Sequence, residues 1–171
     1  KSIINDIDLL FIDIWGVLHN GIKLYKESIN VLDKLEQSKK EYILLTNAPR
    51  PNNTVINFLK NLGLDQSKCK KVSTSGEVAL KYLKSKYKAL KFFHVGPPRD
   101  FDLFKSFEEF KVNNLDESDF IICTGLYDNF SKNLDYYKDL LKNKVDKKMV
   151  CTNPDLIAVS YTHLRAHETT D

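Results

Sequence analysis

The sequence predicts an α/β protein whose strands pair mostly in parallel. The first observation is that short apolar runs, typical of buried parallel strands, alternate with segments in which apolar residues recur at helical spacing. The second is an ordinary globular composition, with 42% hydrophobic and 29% charged residues in a chain of 171. No apolar run approaches the roughly 18 residues of a membrane span, so we expect no membrane partner.

The first half of the chain supplies three predicted strands and three predicted helices. The strands are Asp8–Asp13, Tyr42–Thr46 and the weaker Lys71–Thr74. One helical stripe comprises Ile29, Val31, Leu32 and Leu35. A second, with Asn53 or Thr54 as its N-cap and Gly63 at its end, comprises Val55, Ile56, Leu59 and Leu62. A third, with Ser75 as its N-cap, comprises Val78, Ala79, Tyr82 and Leu83.

The second half continues the alternation. Its predicted strands are Phe92–Val95, Phe120–Cys123 and Met149–Cys151, and its predicted helices lie around Phe101–Phe110 and Ser131–Lys142. Strands separated by helices favour crossover connections and therefore parallel pairing.

Charge and cysteine content limit the classes of partner and the compartment that we expect. The net charge of +3 comes from 26 basic and 23 acidic residues, which is too balanced to indicate a nucleic-acid partner. The series Lys81, Lys84, Lys88 and Lys91 is interpreted as one solvated helical face. The three cysteines form no Cys-x-x-Cys pair, so we expect buried, reduced thiols in a cytoplasmic protein.

Polar residues stand where two predicted strands end. Asp13 ends the first strand, and Thr46 and Asn47 end the second. Ligands of open α/β sheets bind outside the carboxyl ends of the strands, so these three side chains are candidates for one site. A carboxylate beside a hydroxyl and an amide suits a magnesium-bound phosphoryl group. The alternative, that Asp13 only caps a turn and Thr46 only begins a loop, stays open at this point.

Three segments together resemble one family. LLFIDIWGVLHNG, LLTNAPRP and MVCTNPDLI resemble the haloacid dehalogenase superfamily, and within it the class IIA phosphatases, over residues 7–158. The resemblance implies a Rossmann-like core with an inserted α/β cap, Mg²⁺ as cofactor and a small phosphorylated substrate. It also implies that Asp13 is the nucleophile and a metal ligand, that the Trp15 backbone carbonyl is a metal ligand, and that Thr46 and Asn47 bind phosphate.

Trp15 departs from the family's pattern. The family places a second acid two residues after the nucleophile, where it protonates the leaving group and activates water. An indole cannot carry protons, and loss of a general acid or base typically costs about 10²–10⁴ in rate. The segment resembles DVWGV-type variants of the class. His19, in the loop that follows, is interpreted either as a solvated loop residue or as a substitute acid/base.

The resemblance also divides the chain. Residues 1–70 correspond to the first part of the core and residues 71–158 to part of the cap. The strand-end loop Gly125–Asp128 faces the substrate in this interpretation. Asn153 and Asp155 are candidate cap contacts, although both also suit a turn around Pro154.

Residues 159–171 resemble a translated transposase sequencing adapter, and we expect them to be non-native. The family's third and fourth motifs, a lysine and acidic Mg²⁺ ligands, do not precede this segment. We therefore expect a fragment that is inactive by itself. Two functions stay open for the intact protein: a Mg²⁺-dependent phosphatase, and an inert relative that binds a phosphorylated ligand.

Overall fold

The structure, a computed structural model, describes residues 3–69, 71–131 and 133–153. The described residues of Lys1–Asn47 and Pro51–Thr74 form one compact unit, unit 1. Those of Ala48–Arg50 and Ser75–Asp171 form a second, unit 2. No helix among the described residues has the length and apolar character needed to cross a bilayer.

Unit 1 contains a three-stranded parallel sheet with strand order β1-β2-β3. The strands are β1 (Leu9–Asp13), β2 (Glu41–Thr46) and β3 (Val72–Thr74), and the helices are α1 (Lys26–Gln37) and α2 (Asn52–Asn61). Each connection between strands passes through a helix, as parallel pairing requires. The predicted helical stripes are confirmed where they face the sheet, because Leu32, Leu35, Val55 and Leu59 are buried.

Strand β1 is less buried than its sequence predicts. It lies at the edge of the described sheet, while β2 lies in the middle with a partner on each side. Phe11 is consequently 64% exposed and Leu9 40% exposed. The apolar run did identify the strand, but burial depends on neighbours that a local pattern does not specify.

The predicted N-cap of α2 is wrong. Pro51 occupies the N-cap position, with no capping hydrogen bond from a side chain. The side chain of Asn52 instead accepts hydrogen bonds from the Thr74 backbone N–H (3.0 Å) and the Thr74 hydroxyl (3.1 Å). The asparagine therefore ties the start of α2 to the end of β3. The predicted helix end is confirmed, since Gly63 follows the C-cap with a φ of 96°.

Unit 2 contains a four-stranded parallel sheet with strand order β5-β4-β6-β7. The strands are β4 (Phe92–Val95), β5 (Lys111–Val112), β6 (Phe120–Cys123) and β7 (Lys148–Cys151), and the helices are α3 (Ser75–Lys86) and α4 (Leu134–Leu141). The prediction of an α/β fold with parallel strands is thus confirmed in both units.

Both faces of this second sheet are covered. One face packs in a cluster of large apolar side chains: Leu83, Phe92, Leu103, Phe104, Phe120 and Ile122. The other packs in a cluster formed by Val95, Leu115, Ile121 and Tyr137. Burial on both faces explains why β6 is a continuous apolar run rather than an alternating one.

Two helix predictions in unit 2 need correction. The segment predicted as a helix around Phe101–Phe110 forms 3₁₀ turns over Pro98–Phe110, interrupted at Phe107, where φ is −148°. Helix α3 ends at Lys86, so Lys88 and Lys91 do not share a helical face with Lys81 and Lys84. Ala89, with a φ of 61°, turns the chain out of the helical path.

The short segment Ala48–Arg50 belongs to unit 2 although it precedes α2 of unit 1. Its Ala48 carbonyl accepts hydrogen bonds from the Ser75 hydroxyl (3.0 Å) and the Gly76 N–H (3.1 Å). The prediction of Ser75 as the N-cap of α3 is wrong, because the helix already includes Ser75 as its first residue. The contacts divide the chain after β3, whereas the sequence predicts a boundary before β3, between residues 70 and 71.

Gly76 supports the first testable prediction. A Cβ at this position would lie 2.2 Å from the backbone nitrogen of Arg50 and 2.5 Å from the backbone carbonyl oxygen of the same residue. Replacing a glycine within a helix by alanine normally stabilises the helix. For Gly76→Ala we instead expect the free energy of unfolding to fall by about 1–3 kcal/mol, because backbone atoms must move. Urea unfolding measures this loss, with Lys84→Ala in the same helix as the control. A Gly76→Ala variant as stable as the wild type would contradict this close approach.

Candidate active site

Asp13 is the last residue of β1, and its carboxylate is exposed. The backbone N–H of Ile14 donates to its Oδ1 at 2.8 Å. This hydrogen bond holds one carboxylate oxygen and leaves Oδ2 for other partners. Asp13 therefore does cap the turn, as the alternative interpretation holds, but it uses only one of its two carboxylate oxygens to do so.

Thr46 ends the neighbouring strand beside Asp13. The register pairs Asp13 with Leu45, so Thr46 lies one residue further along β2. Thr46 is 8% exposed and is paired in turn with Thr74 of β3, whereas Asn47 is exposed. The fold thus brings the predicted carboxylate, hydroxyl and amide residues to the carboxyl edge of one sheet.

A tight loop follows Asp13 and returns the chain to α1. Gly16 adopts a φ of 74°, and its N–H donates to the His19 carbonyl at 2.9 Å. The Leu18 N–H donates to the Ile14 carbonyl at 2.9 Å, and Leu18 is buried. The left-handed backbone at Gly16 explains why glycine stands in the turn after the strand.

The Trp15 indole is held within this loop. Its ring meets the His19 ring edge to face, with centroids 5.2 Å apart. A Cβ at Gly21 would lie 2.9 Å from the indole Cη2, and Gly21 also has a φ of 89°. Glycine at this position therefore makes room for the indole.

His19 is buried, so the prediction of a solvated loop histidine is wrong. It is 3% exposed, and its ring lies between the rings of Trp15 and Phe58, each with centroids 5.2 Å away. The backbone N–H of Gly21 donates to His19 Nδ1 at 2.8 Å. Because Nδ1 accepts, the proton of the neutral ring must sit on Nε2.

Burial lowers the pKa of His19 below its ordinary value, and the Asp13 carboxylate opposes that shift in part. A neutral ring with Nδ1 engaged donates through Nε2 and has no free nitrogen to receive a proton. This geometry favours a hydrogen-bond donor over the substitute acid/base that the sequence left open.

The described residues offer a partial oxygen site for a metal ion. The Asp13 carboxylate is exposed, and no hydrogen bond to the Trp15 carbonyl is present in the described part of the chain. Two oxygen donors fit a cation that keeps several waters, as Mg²⁺ does. No group of three or more His, Cys, Asp or Glu side chains able to share a metal occurs among the described residues.

Of the two candidate cap contacts, only Asn153 is among the described residues. Asn153 follows β7 in unit 2, and its carbonyl accepts a hydrogen bond from the Cys151 thiol at 3.2 Å. Asp155 and residues 159–171 lie outside the described residues. The loop that begins at Gly125 follows β6, and Tyr127 within it donates to the His94 carbonyl at 2.8 Å.

Sequence reasoning missed a buried polar group in unit 2. His94 Nε2 lies 2.8 Å from the Thr124 hydroxyl, and both residues are buried. That hydroxyl also hydrogen-bonds the buried Asp100, whose carboxyl pKa is raised by burial. Gly96 adjoins the pair, since a Cβ there would lie 2.1 Å from Thr124 Oγ1. A lone histidine within the apolar run FFHV, followed by Gly-Pro-Pro, was the available signal.

The His94 ring makes stability depend on pH. Burial, together with the nearby Lys111, lowers its pKa to about 4. Below pH 6.5 this histidine is protonated in the unfolded chain but still neutral in the folded one. Its contribution to the free energy of unfolding is therefore complete above pH 6.5 and is lost as the pH falls towards 4. Between pH 7 and pH 5 we expect a loss of about 2 kcal/mol. The raised pKa of Asp100 acts in the opposite direction.

Urea unfolding followed by far-UV circular dichroism at pH 7 and pH 5 measures this loss. A His94→Gln variant is the control, because it retains a polar side chain but has no group that titrates in this range. A His94 ring that titrates near pH 6.5 in the folded protein, as followed by NMR, would contradict the assignment.

The two parallel sheets define an α/β protein, and a carboxylate, a hydroxyl and an amide residue lie at the carboxyl edge of one of them. A family profile described as haloacid dehalogenase-like hydrolase matches residues 10–108, more than half of the chain. The chain therefore belongs to the haloacid dehalogenase-like hydrolase family, which confirms the resemblance at that level. No curated protein matches the chain.

Solved structures share this fold. A haloacid dehalogenase-like hydrolase from Brucella suis 1330 is 29% identical with a TM-score of 0.76, over 88% of this chain and 55% of that one. A 4-nitrophenylphosphatase from Thermotoga maritima is 24% identical with a TM-score of 0.64, over 91% and 58%. A glycerol phosphate phosphatase from Mycobacterium tuberculosis in complex with magnesium is 22% identical with a TM-score of 0.62, over 91% and 47%. The chain thus spans about half the length of these neighbours.

Proposed function

We propose that the intact protein is a Mg²⁺-dependent class IIA phosphatase of a small phosphorylated metabolite. The observation that carries this proposal is the position of Asp13 at the carboxyl end of β1, with Thr46 one residue beyond its register partner. Both residues lie in the segment that matches the hydrolase family. Two neighbours of the same fold are phosphatases by name, and one of them is a magnesium complex.

In this proposal Asp13 attacks phosphorus through Oδ2. The Ile14 N–H bond to Oδ1 fixes the side-chain rotamer, so the free oxygen is presented without further ordering. The bond from phosphorus to the ester oxygen breaks, and an aspartyl-phosphate forms. Water then attacks phosphorus, the bond between phosphorus and Oδ2 breaks, and inorganic phosphate leaves, which restores the carboxylate. The Thr46 hydroxyl and the Asn47 amide donate to the oxygens of the transferring group.

The cation belongs beside this carboxylate. Asp13 and the Trp15 carbonyl would hold Mg²⁺, with the remaining positions filled by water and by residues beyond the described part of the chain. The chemistry supplied by the bound ion is neutralisation of charge on the phosphoryl oxygens.

Trp15 limits the first half of the reaction, in which the ester oxygen leaves. No side-chain carboxylate stands at position 15 to protonate the leaving group, and His19 has its Nδ1 occupied by the Gly21 N–H. Esters whose leaving group needs no proton, such as aryl phosphates, are therefore the favoured substrates of this site. The His19 Nε2–H remains available as a neutral donor.

Substrate choice belongs to unit 2 in this proposal, which acts as the cap. Asn153, Asp155 and the loop after β6 are the residues proposed to meet the substrate, because they follow the carboxyl ends of parallel strands. We place the protein in the cytoplasm, and a small phosphorylated molecule is the only partner proposed.

Trp15 itself favours a second candidate function. A family member without the acid/base carboxylate retains the residues for binding phosphate and loses the group for rapid turnover. In that case the protein binds a phosphorylated ligand and releases no phosphate.

One experiment separates the two functions. A chain long enough to carry all four family motifs is incubated with a panel of aryl and alkyl phosphates, with Mg²⁺ or with EDTA. Release of inorganic phosphate only with Mg²⁺ supports the phosphatase. Tight binding of a panel member measured by calorimetry, without phosphate release over hours, supports the binding protein and contradicts the phosphatase.

A further inference from the structure

Two of the three cysteines lie side by side at the carboxyl edge of the sheet in unit 2. Cys123 is the last residue of β6 and Cys151 the last residue of β7, and the register pairs them directly. Paired residues of neighbouring strands point to the same face of the sheet. The Cys151 thiol is near enough to contribute to the raised pKa of the Cys123 thiol.

From this juxtaposition we propose that Cys123 and Cys151 form a dithiol site that closes reversibly to a disulfide under mild oxidation. The strands are about 4.7–4.9 Å apart at such a pair, which falls within the Cα separation of about 4.4–6.8 Å that a disulfide requires. The expectation that all three thiols are buried is wrong for Cys151, which is exposed. An oxidant therefore has access to one thiol of the pair.

The accessibility of the two thiols sets the order of the steps. Cys151 is exposed, so its thiolate attacks the oxidant, a hydroperoxide or a low-molecular-weight disulfide such as oxidised glutathione. With the disulfide, a mixed disulfide forms on Cys151 and one small thiolate leaves. The Cys123 thiolate then attacks the Cys151 sulfur, the protein disulfide forms, and the second small thiolate leaves. With a hydroperoxide, the Cys151 thiolate attacks the terminal oxygen, the O–O bond breaks and the alcohol leaves. The Cys123 thiolate then attacks the sulfur of the resulting sulfenic acid, the disulfide forms, and the oxygen leaves as water.

Burial of Cys123 slows the second step. Cys123 is half-buried against the cluster of Val95, Leu115, Ile121 and Tyr137. This burial raises the pKa of its thiol to about 11. The thiolate fraction, and with it the rate of ring closure, should rise about tenfold for each pH unit between 7 and 9.

A disulfide here would constrain the two turns that follow the strands. The Cys123 carbonyl already accepts hydrogen bonds from the backbone N–H of Thr152 (2.9 Å) and from its hydroxyl (3.3 Å). Thr124, the residue after Cys123, holds the buried His94. Oxidation therefore acts on the segments that begin at Thr124 and Thr152, whatever reaction the protein catalyses.

The test uses the 171-residue chain and does not depend on turnover. The chain is treated with oxidised glutathione, quenched with acid, and its thiols are counted after denaturation. We expect the count to fall from three to one, and dithiothreitol to restore it. Tryptic digestion without reductant should then show the peptide that contains Cys123 joined to the peptide that contains Cys151.

Cys69 provides the matched control, because it is buried in unit 1 and belongs to no pair. Cys69→Ser should close the disulfide as the wild type does. Cys151→Ser, a change at an exposed position, should lose neither of its remaining thiols. A wild-type chain that stops at a glutathione adduct on Cys151 would overturn the proposal. Disulfides between chains, or loss of Cys69 at the same rate, would overturn it as well.

Discussion

Asp13→Asn should abolish Mg²⁺-dependent hydrolysis of an aryl phosphate, with a loss of roughly 10³-fold or more in kcat. The amide keeps the shape of the side chain and can still accept the Ile14 N–H bond at Oδ1. It is a poor nucleophile and a weaker ligand for a hard cation, so both proposed roles of the carboxylate are removed by one atom. Phosphate release from p-nitrophenyl phosphate by a chain with all four family motifs measures the effect.

Asp8→Asn is the matched control, because Asp8 is an exposed aspartate just before the amino end of the same strand. It removes the same charge from unit 1 and should leave the rate within about twofold of the wild type, since an exposed charge at that distance is well screened. Thermal unfolding shows whether either variant has lost its fold. Substantial activity in a folded Asp13→Asn protein would remove the nucleophile assignment and the mechanism built on it.

Trp15→Asp should increase turnover, by up to about 10²–10⁴-fold for alkyl phosphates and much less for aryl phosphates. The reason is that an alkoxide leaving group needs a proton at the transition state, whereas a nitrophenolate leaves without one. The indole fills space against Gly21 and His19. Its removal therefore also loosens the loop, and the melting temperature should fall.

Trp15→Asn separates these two effects. It has the size of aspartate and causes the same loss of packing, but it carries no group that exchanges a proton. If Trp15→Asn raises turnover as much as Trp15→Asp does, the gain comes from easier access of the substrate to the site. In that case the missing acid/base does not limit turnover. If neither variant turns over any ester, while the wild type binds one tightly, the binding protein is the better description.

The sequence predicted the elements that carry the site because their signals are local. Asp13 stands at the end of an apolar run, and Thr46 at the end of another, and each pattern is complete within a few residues. Parallel pairing followed from the intervening helices, and it alone brings two strand ends to one edge. The same reasoning failed for Asn53 and Thr54 as caps, because Asn52 bonds Thr74 from a different part of the chain.

His19 shows the limit of local reasoning most clearly. A histidine in the loop between a strand and a helix indicates solvent exposure, yet the ring lies between Trp15 and Phe58. Phe58 comes from α2, so its contact with His19 depends on how the helix packs and not on any nearby residue. The Gly21 N–H then fixes the tautomer, which decides whether the ring donates or accepts.

By itself, the sequence determined the α/β alternation, the strand-end residues of the candidate site and the family to which the chain belongs. Only the tertiary structure decided that β1 is an edge strand of the described sheet, that Cys123 faces Cys151, and that Ala48–Arg50 belongs to unit 2. The physical reason is the distance along the chain over which each kind of interaction acts. Periodicity and turn chemistry act over a few residues, whereas register and burial are set by partners tens of residues away, whose contacts are chosen by packing of the whole unit.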